Sequence, residues 1–172
     1  MRVITGKYKG KKLDGFNIPG TRPTMDRVKE SLFAMIQNQI PGSICLDLFA
    51  GSGALGIEAL SMGAKECYFV DHSSEALAIL KNNTRNINNA YVISSDYKKY
   101  LKITDKKYDI IFLDPPYHHN LLNKALKFIE EYNLLNKEGL VICEYETENP
   151  ITNLTLIKEK KYGPKTIKIF QK

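Results

Sequence analysis

Short apolar runs alternate along most of this chain with stretches whose apolar residues recur every three or four positions. The runs fall at Ile44–Phe49, Glu66–Val70, Tyr91–Ser94, Tyr108–Leu113 and Leu140–Tyr145, and each has the length of a strand. YDIIFL, at 108–113, is nearly continuous, as in a strand buried on both faces. Helical spacing fills the gaps. A helix from Asp26 to about Gln39 puts Val28, Leu32, Phe33, Ile36 and Ile40 on one face, with Thr24 or Asp26 to cap it and Pro41-Gly42 to close it. A second ends near Met62 with Leu55, Ala59 and Met62 aligned. A third runs from Ser73 or Ser74 to about Ile87, with Leu77, Leu80 and Ile87 inward. A lysine-rich turn or short helix follows Asp96, and a last helix spans Asn120–Tyr132. This alternation predicts an α/β fold with a single doubly wound, mostly parallel sheet.

The ends read differently. Val3-Ile4 and Leu13–Phe16 flank GKYKGKK, which predicts a small β-hairpin, and residues 17–25, with Pro19, Gly20 and Pro23, read as loop. Near the other end, residues 154–160 and 165–170 flank Tyr162-Gly163-Pro164 and predict a closing antiparallel hairpin. Residues 1–40 thus form a basic hairpin, arm and helix within the same globule as the sheet domain, residues 41–172.

Composition narrows the partners. At 172 residues the chain suits one domain that buries a core without staples. No apolar run approaches the ~20 residues of a bilayer-crossing helix, and MRVITGKYKGKK lacks the apolar core of a signal peptide. Cys45, Cys67 and Cys143 fall in predicted strands without metal-ligand spacing. They read as buried thiols in a reducing cytoplasm, and neither a metal nor a membrane partner is expected. The net charge of +6 sits at the ends: 8 basic against 3 acidic residues in 1–40 and 6 against 1 in 158–172, with 11 against 15 between. Two basic ends around an acidic body suit a gripped polyanion. A solvated, solubilising face explains the same pattern equally well.

Chemistry concentrates after two strands. Ile44–Met62 reads as strand, glycine turn and helix, and Gly51, Gly53 and Gly56 match G-x-G-x-x-G. Asp47 is out of place in a buried strand unless something pairs with it. A pyrophosphate at the turn would be repelled by it, whereas S-adenosylmethionine, with an ammonium and a sulfonium, would be attracted. In such a sheet ligands sit outside the carboxyl ends of the strands. Asp71, Asp96 and Asp114 end the next three strands at that edge, and Asp71 lies 20 residues past Gly51, the spacing of a ribose-binding carboxylate. Taken alone, Asp96 reads better as a helix cap. Asp114-Pro115-Pro116-Tyr117 is the second signal. The prolines fix the backbone and donate no N–H, leaving carbonyl oxygens to face a substrate. An exocyclic base amine bonded to the Asp114 carboxylate and a carbonyl has its lone pair localised for attack on a methyl sulfonium. Tyr117 would stack on the base, worth ~1–3 kcal/mol.

The D-x-F-x-G-x-G string resembles the first motif of class I methyltransferases, and D-P-P-Y is similar to their amino-methyltransferase motif. With RVITGKYKGKKL, TRPTMDRVKESLF, LDLFAGSGALGIEALSMGA, Val70-Asp71 and Glu144, nearly the whole chain resembles the RsmD family. The resemblance implies a Rossmann-like class I methyltransferase with its last strand antiparallel. It implies transfer from S-adenosylmethionine to a guanine N2 amine of 16S ribosomal RNA in the assembling small subunit. The cofactor set expected is Asp47, Ala50, Gly51, Gly53, Asp71, His72, Asp96 and Tyr97, and the catalytic set Asp114, Pro115, Pro116 and Tyr117. RNA contacts are expected from Lys7, Lys9, Lys11, Lys12, Arg22, Arg27, Lys160, Lys161 and Lys165, in a cytoplasmic monomer. Lysine stands where the family often has arginine, and the last turn reads YGPK; lysine does not reproduce a bidentate arginine contact. The alternatives are a DNA adenine-N6 methyltransferase and a non-catalytic RNA-binding assembly factor. A dehydrogenase is disfavoured by Asp47.

Overall fold

The computed structural model describes residues 1–16, 22–117 and 119–172, with the backbone alone for 22–25. Its helices are α1 (Arg22–Ile36), α2 (Ala54–Ser61), α3 (Ser74–Asn83), α4 (Tyr97–Ile103) and α5 (Leu121–Glu131). Its strands are β1 (Ile44–Leu48), β2 (Glu66–Asp71), β3 (Ala90–Ser94), β4 (Tyr108–Leu113), β5 (Leu135–Tyr145), β6 (Thr155–Tyr162) and β7 (Lys165–Gln171). They form one sheet in the order β3-β2-β1-β4-β5-β7-β6. The first five strands are parallel, and β7 runs antiparallel between β5 and β6. This is the doubly wound class I layout expected.

The pleat positions the site. Cys45, Phe69, Ile110, Phe112, Ile142, Ile167 and Ile169 pack with Val28, Leu32 and Phe33 of α1 and Ile57 of α2. Side chains two residues apart share a face. Asp47, Asp71, Asp114, Glu144 and Lys165 therefore stand on this same face, at the carboxyl end of the parallel strands. The opposite face carries Leu46, Leu48, Ile111, Leu113, Val141 and Cys143 against α4 and α5. All three cysteines are free and buried.

Three local expectations need correction, and the N-terminal hairpin is shorter than expected. The N-terminal hairpin is present in minimal form: Arg2 and Lys12 make an antiparallel bridge, with Val3 N donating to the Lys11 carbonyl at 2.9 Å and Leu13 N to the Met1 carbonyl at 3.0 Å. The donors between its two arms turn to α2. Ile4 and Thr5 donate to the Glu58 carboxylate at 3.0–3.1 Å, and Lys7 and Tyr8 donate to the Ser61 carbonyl and Oγ at 2.8 and 2.9 Å. A Cβ on Gly6 would lie 1.9 Å from the Ser61 carbonyl oxygen, so only glycine allows this approach. Helix α1 starts at Arg22, not Asp26, because Pro23 is tolerated in a first turn; of the loop expected over 17–25, residues 17–21 lie outside the described residues. Helix α3 stops at Asn83 rather than Ile87, with the Asn83 side chain engaged elsewhere and Asn86 left-handed at φ 65°. Strand β5 begins five residues early, at Leu135, across a bulge that the register shift between Tyr108 and Ile110 marks.

Candidate active site

After β1 the chain turns through left-handed backbone at Phe49, Gly51 and Gly53, φ 64°, 57° and 81°. At Gly56 a Cβ would come within 2.3 Å of the Phe69 ring, so the third glycine lets α2 lie directly on β2. Asp47 is buried. Its Oδ2 accepts the Gly56 N–H at 3.0 Å, so its protein partner is a helix amide and not a cation. Its Oδ1 has no hydrogen-bond partner among the described residues. Burial raises its pKa well above the usual carboxylate range; the Gly56 amide opposes this, and Asp114 and Asp71 add to it. Asp71 ties the edge together, accepting from Gly51 N at 2.9 Å and Ser73 N at 3.0 Å. Asp96 is exposed and caps α4 through Lys98 N and Lys99 N, the helix-cap role read for it alone. Beside it the Tyr97 ring packs on Phe49, centroids 5.1 Å apart.

These residues share one cavity of about 860 Å³. Its wall takes in Ala50, His72, Pro115, Pro116, Tyr117 and His119 on the sheet side, and Phe16, Asp26, Lys29 and Leu32 from the N-terminal region. Every expected cofactor and catalytic residue except Gly53 lines it; Gly53 lies behind the turn against Leu80. Two polar atoms of the wall, Asp26 Oδ1 and the Tyr97 hydroxyl, are buried without a partner among the described residues.

Beyond the glycine turn the cavity reaches β4, β5 and β7. Asp114 follows β4; Glu144, on β5, is buried and accepts from Lys165 Nζ, at the start of β7, at 2.5 Å. Burial pushes the Asp114 carboxyl up to about 8, with Glu144 raising it further and Lys165 opposing. Burial alone would depress Lys165, but Glu144, Asp114 and Tyr117 hold it firmly protonated. Tyr117 is 39% exposed, its ring open to a stacking partner. Burial and then Glu146 push its hydroxyl up to about 12.

The expected RNA-contacting residues separate in space. Lys165 points into the cavity. Lys160 and Lys161 are exposed on β6, which runs parallel to β1, so the Gly163-Pro164 turn opens on the cavity edge as the strand direction predicted. Lys160 Nζ reaches Ser31 of α1 at 3.0 Å and Tyr162 bonds the same hydroxyl, which brings the two basic ends together. Lys7, Lys9 and Lys12 are exposed and Lys11 is partly so. The tip of their loop sits at the Ser61 end of α2, roughly 10 Å from the glycine turn at 1.5 Å per residue. Lys7 therefore lies on the α2 flank, while Lys12, bridged to Arg2, lies nearer Met1 in the cavity wall. Arg27 is exposed; the Arg22 side chain lies outside the described residues.

Sequence reasoning missed the posts that hold the N-terminal region over the cavity. Glu58, 1% exposed, takes the Ile4 and Thr5 donors and pairs with buried Lys29 at 3.4 Å, and Lys29 also donates to the Arg2 carbonyl at 2.7 Å. Asn83 bridges the Asp14 backbone and the Ser52 carbonyl, the latter at 2.9 Å. Lys29 counted as one more surface charge in the sequence. The missing signal was its i, i+3 place beside Leu32 and Val28 on the apolar face.

The family described as Conserved hypothetical protein 95 matches residues 1–171. The chain is 39% identical to the ribosomal RNA small subunit methyltransferase D of Haemophilus influenzae, covering 99% of this chain and 93% of that one. To the protein of the same name in Escherichia coli K12 it is 35% identical, over 100% and 90%. Among solved structures, yhhF of Escherichia coli superposes with TM-score 0.89 at 33% identity, covering 100% and 97%.

Proposed function

This chain belongs to the family described as Conserved hypothetical protein 95, the RsmD family, and from that premise we propose that it methylates the N2 amine of a guanine in small-subunit ribosomal RNA, with S-adenosylmethionine as donor. Its relatives' names support ribosomal RNA methylation. The observation that carries the finer reading is the single cavity in which Asp114-Pro115-Pro116-Tyr117 meets the glycine turn. The wall suits the donor: Gly51 where the backbone is approached, and the carboxylates of Asp47, Asp71 and Asp96 with the unpartnered Asp26 Oδ1 for ammonium and hydroxyl groups. When bound, S-adenosylmethionine supplies a methyl group made electrophilic by its sulfonium.

The chain's own residues do the rest by positioning and electrostatics. Tyr117 stacks the base. The Asp114 carboxylate and a carbonyl of the Pro115–Pro116 segment accept the two N2–H bonds and turn the amine lone pair outward. With its pKa raised to about 8, Asp114 is also matched to take the proton that the amine sheds. The exposed lysines of the N-terminal loop and β6 contact phosphates, which positions RNA without reading sequence.

The test is genetic and chemical. Small-subunit RNA from cells lacking the gene is digested and its nucleosides are weighed by mass spectrometry. Loss of one N2-methylguanosine, restored by the wild-type gene and not by Asp114→Ala, is the expected result. An unchanged nucleoside profile contradicts the reading.

A further inference from the structure

Within the cavity, β4, β5 and β7 each carry one charged side chain on the shared face. The register pairs Leu113 with Cys143 and Glu144 with Ile167, so one step on places Asp114 beside Glu144. Lys165, two residues before Ile167, follows on the next strand. The cavity edge therefore presents acceptor, acceptor and donor in strand order. Glu144 Oε1 is held by Lys165, and Oε2 has no partner among the described residues. Lys165 Nζ has three protons and spends one on Glu144.

The bases with an exocyclic amine differ in what lies beside it. Guanine shows N2–H₂, then N1–H, then O6: donor, donor, acceptor. Adenine shows its amine and then the bare N1, and cytosine its amine and then the bare N3. A carboxylate next to the amine-binding group meets a donor on guanine and a lone pair on the other two. We propose that Glu144 and Lys165 read the guanine edge, Glu144 accepting from N1–H and Lys165 donating to O6, while Asp114 holds N2. This rests on the methyl-transfer reading above and deepens it by naming the residues that choose the base. It also makes Lys165, one of the expected RNA contacts, a contact to the base. Adenine would leave Glu144 facing a lone pair and Lys165 without an acceptor, and a buried polar site rejects a base that leaves its groups unpaired.

The test uses small-subunit RNA with guanine or 2-aminopurine ligated at the methylated position. 2-Aminopurine keeps the N2 amine, but its N1 has no proton and it lacks O6. The wild-type protein should prefer guanine in kcat/KM by more than about 100-fold. Glu144→Gln, whose amide donates to the bare N1, should cut that preference below about tenfold. Lys165→Met should slow guanine methylation more than 2-aminopurine methylation and so lower the ratio. A purely structural role would lower both substrates together and preserve the ratio. An unaltered ratio in both variants, with guanine still methylated, overturns the base-reading role alone. Failure of the wild-type protein to form N2-methylguanosine overturns the underlying reading with it.

Discussion

Replacing Glu58 by glutamine should cost this protein about 3 kcal/mol of stability. Glu58 is 1% exposed and holds three backbone or hydroxyl donors of Ile4 and Thr5 at 3.0–3.1 Å. It also neutralises Lys29, 3.4 Å away and itself 5% exposed. Glutamine keeps the shape and one acceptor oxygen, but its amide meets donors on the other side, and the Lys29 charge is left with the Arg2 carbonyl alone. Breaking a buried pair from one side costs about 3–5 kcal/mol. The retained oxygen sets the expectation at the lower end, roughly 100-fold in the folding equilibrium. Urea denaturation followed by circular dichroism reads the loss as a lower midpoint. Lys29→Met combined with Glu58→Gln should recover part of it, because no buried charge is then uncompensated. A loss below about 1 kcal/mol for Glu58→Gln, or strict additivity in the pair, would refute the anchoring argument.

Asp47→Ala should weaken S-adenosylmethionine binding at least tenfold by calorimetry while the far-ultraviolet spectrum is retained; unchanged affinity would remove Asp47 from the cofactor site. Asp114→Ala should lower kcat by about 100-fold or more and move cofactor affinity little, and activity within tenfold of wild type would rule out the amine-holding role. The ionised form of Asp114 is the one that accepts from the amine, and its pKa is raised to about 8. kcat/KM should therefore fall as pH is lowered through about 8, and a flat profile from pH 7 to 9 would contradict this. Changing Lys7, Lys9, Lys11 and Lys12 to glutamine should shrink the salt slope of RNA binding by roughly 3; an unaltered slope returns them to a solubility role.

The sheet was legible in the sequence because its order is written in local patterns. Ile44–Leu48, Glu66–Asp71 and Tyr108–Leu113 are short apolar runs stopped by a glycine turn or an aspartate, and no long-range contact is needed to see them. The same patterns marked the cavity residues, since each aspartate ends its strand. The anchoring of the N-terminal hairpin was not legible, because Ile4, Thr5 and Tyr8 donate to Glu58 and Ser61, more than fifty residues away, which no local hairpin signal records. The Glu144 partner of Lys165 was not legible because it depends on the β5–β7 register. That register puts Glu144 against Ile167 and sets half-buried Lys165 beside it on the cavity face. Among the basic residues counted from the sequence, Lys29 is buried in an ion pair and Lys165 is half-buried in one, while an exposed set lies on the loop and β6.

The central claim is the identity of the methylated atom, and product analysis tests it most directly. The purified protein is incubated with S-adenosylmethionine carrying an isotopically labelled methyl group and small-subunit RNA from cells lacking the gene. The RNA is then digested, and labelled nucleosides are resolved by mass spectrometry against N2-methylguanosine and N6-methyladenosine standards. The account predicts label in N2-methylguanosine alone, at one site per RNA and absent with Asp114→Ala. Label in N6-methyladenosine, or tight cofactor binding with no labelled nucleoside, would contradict it.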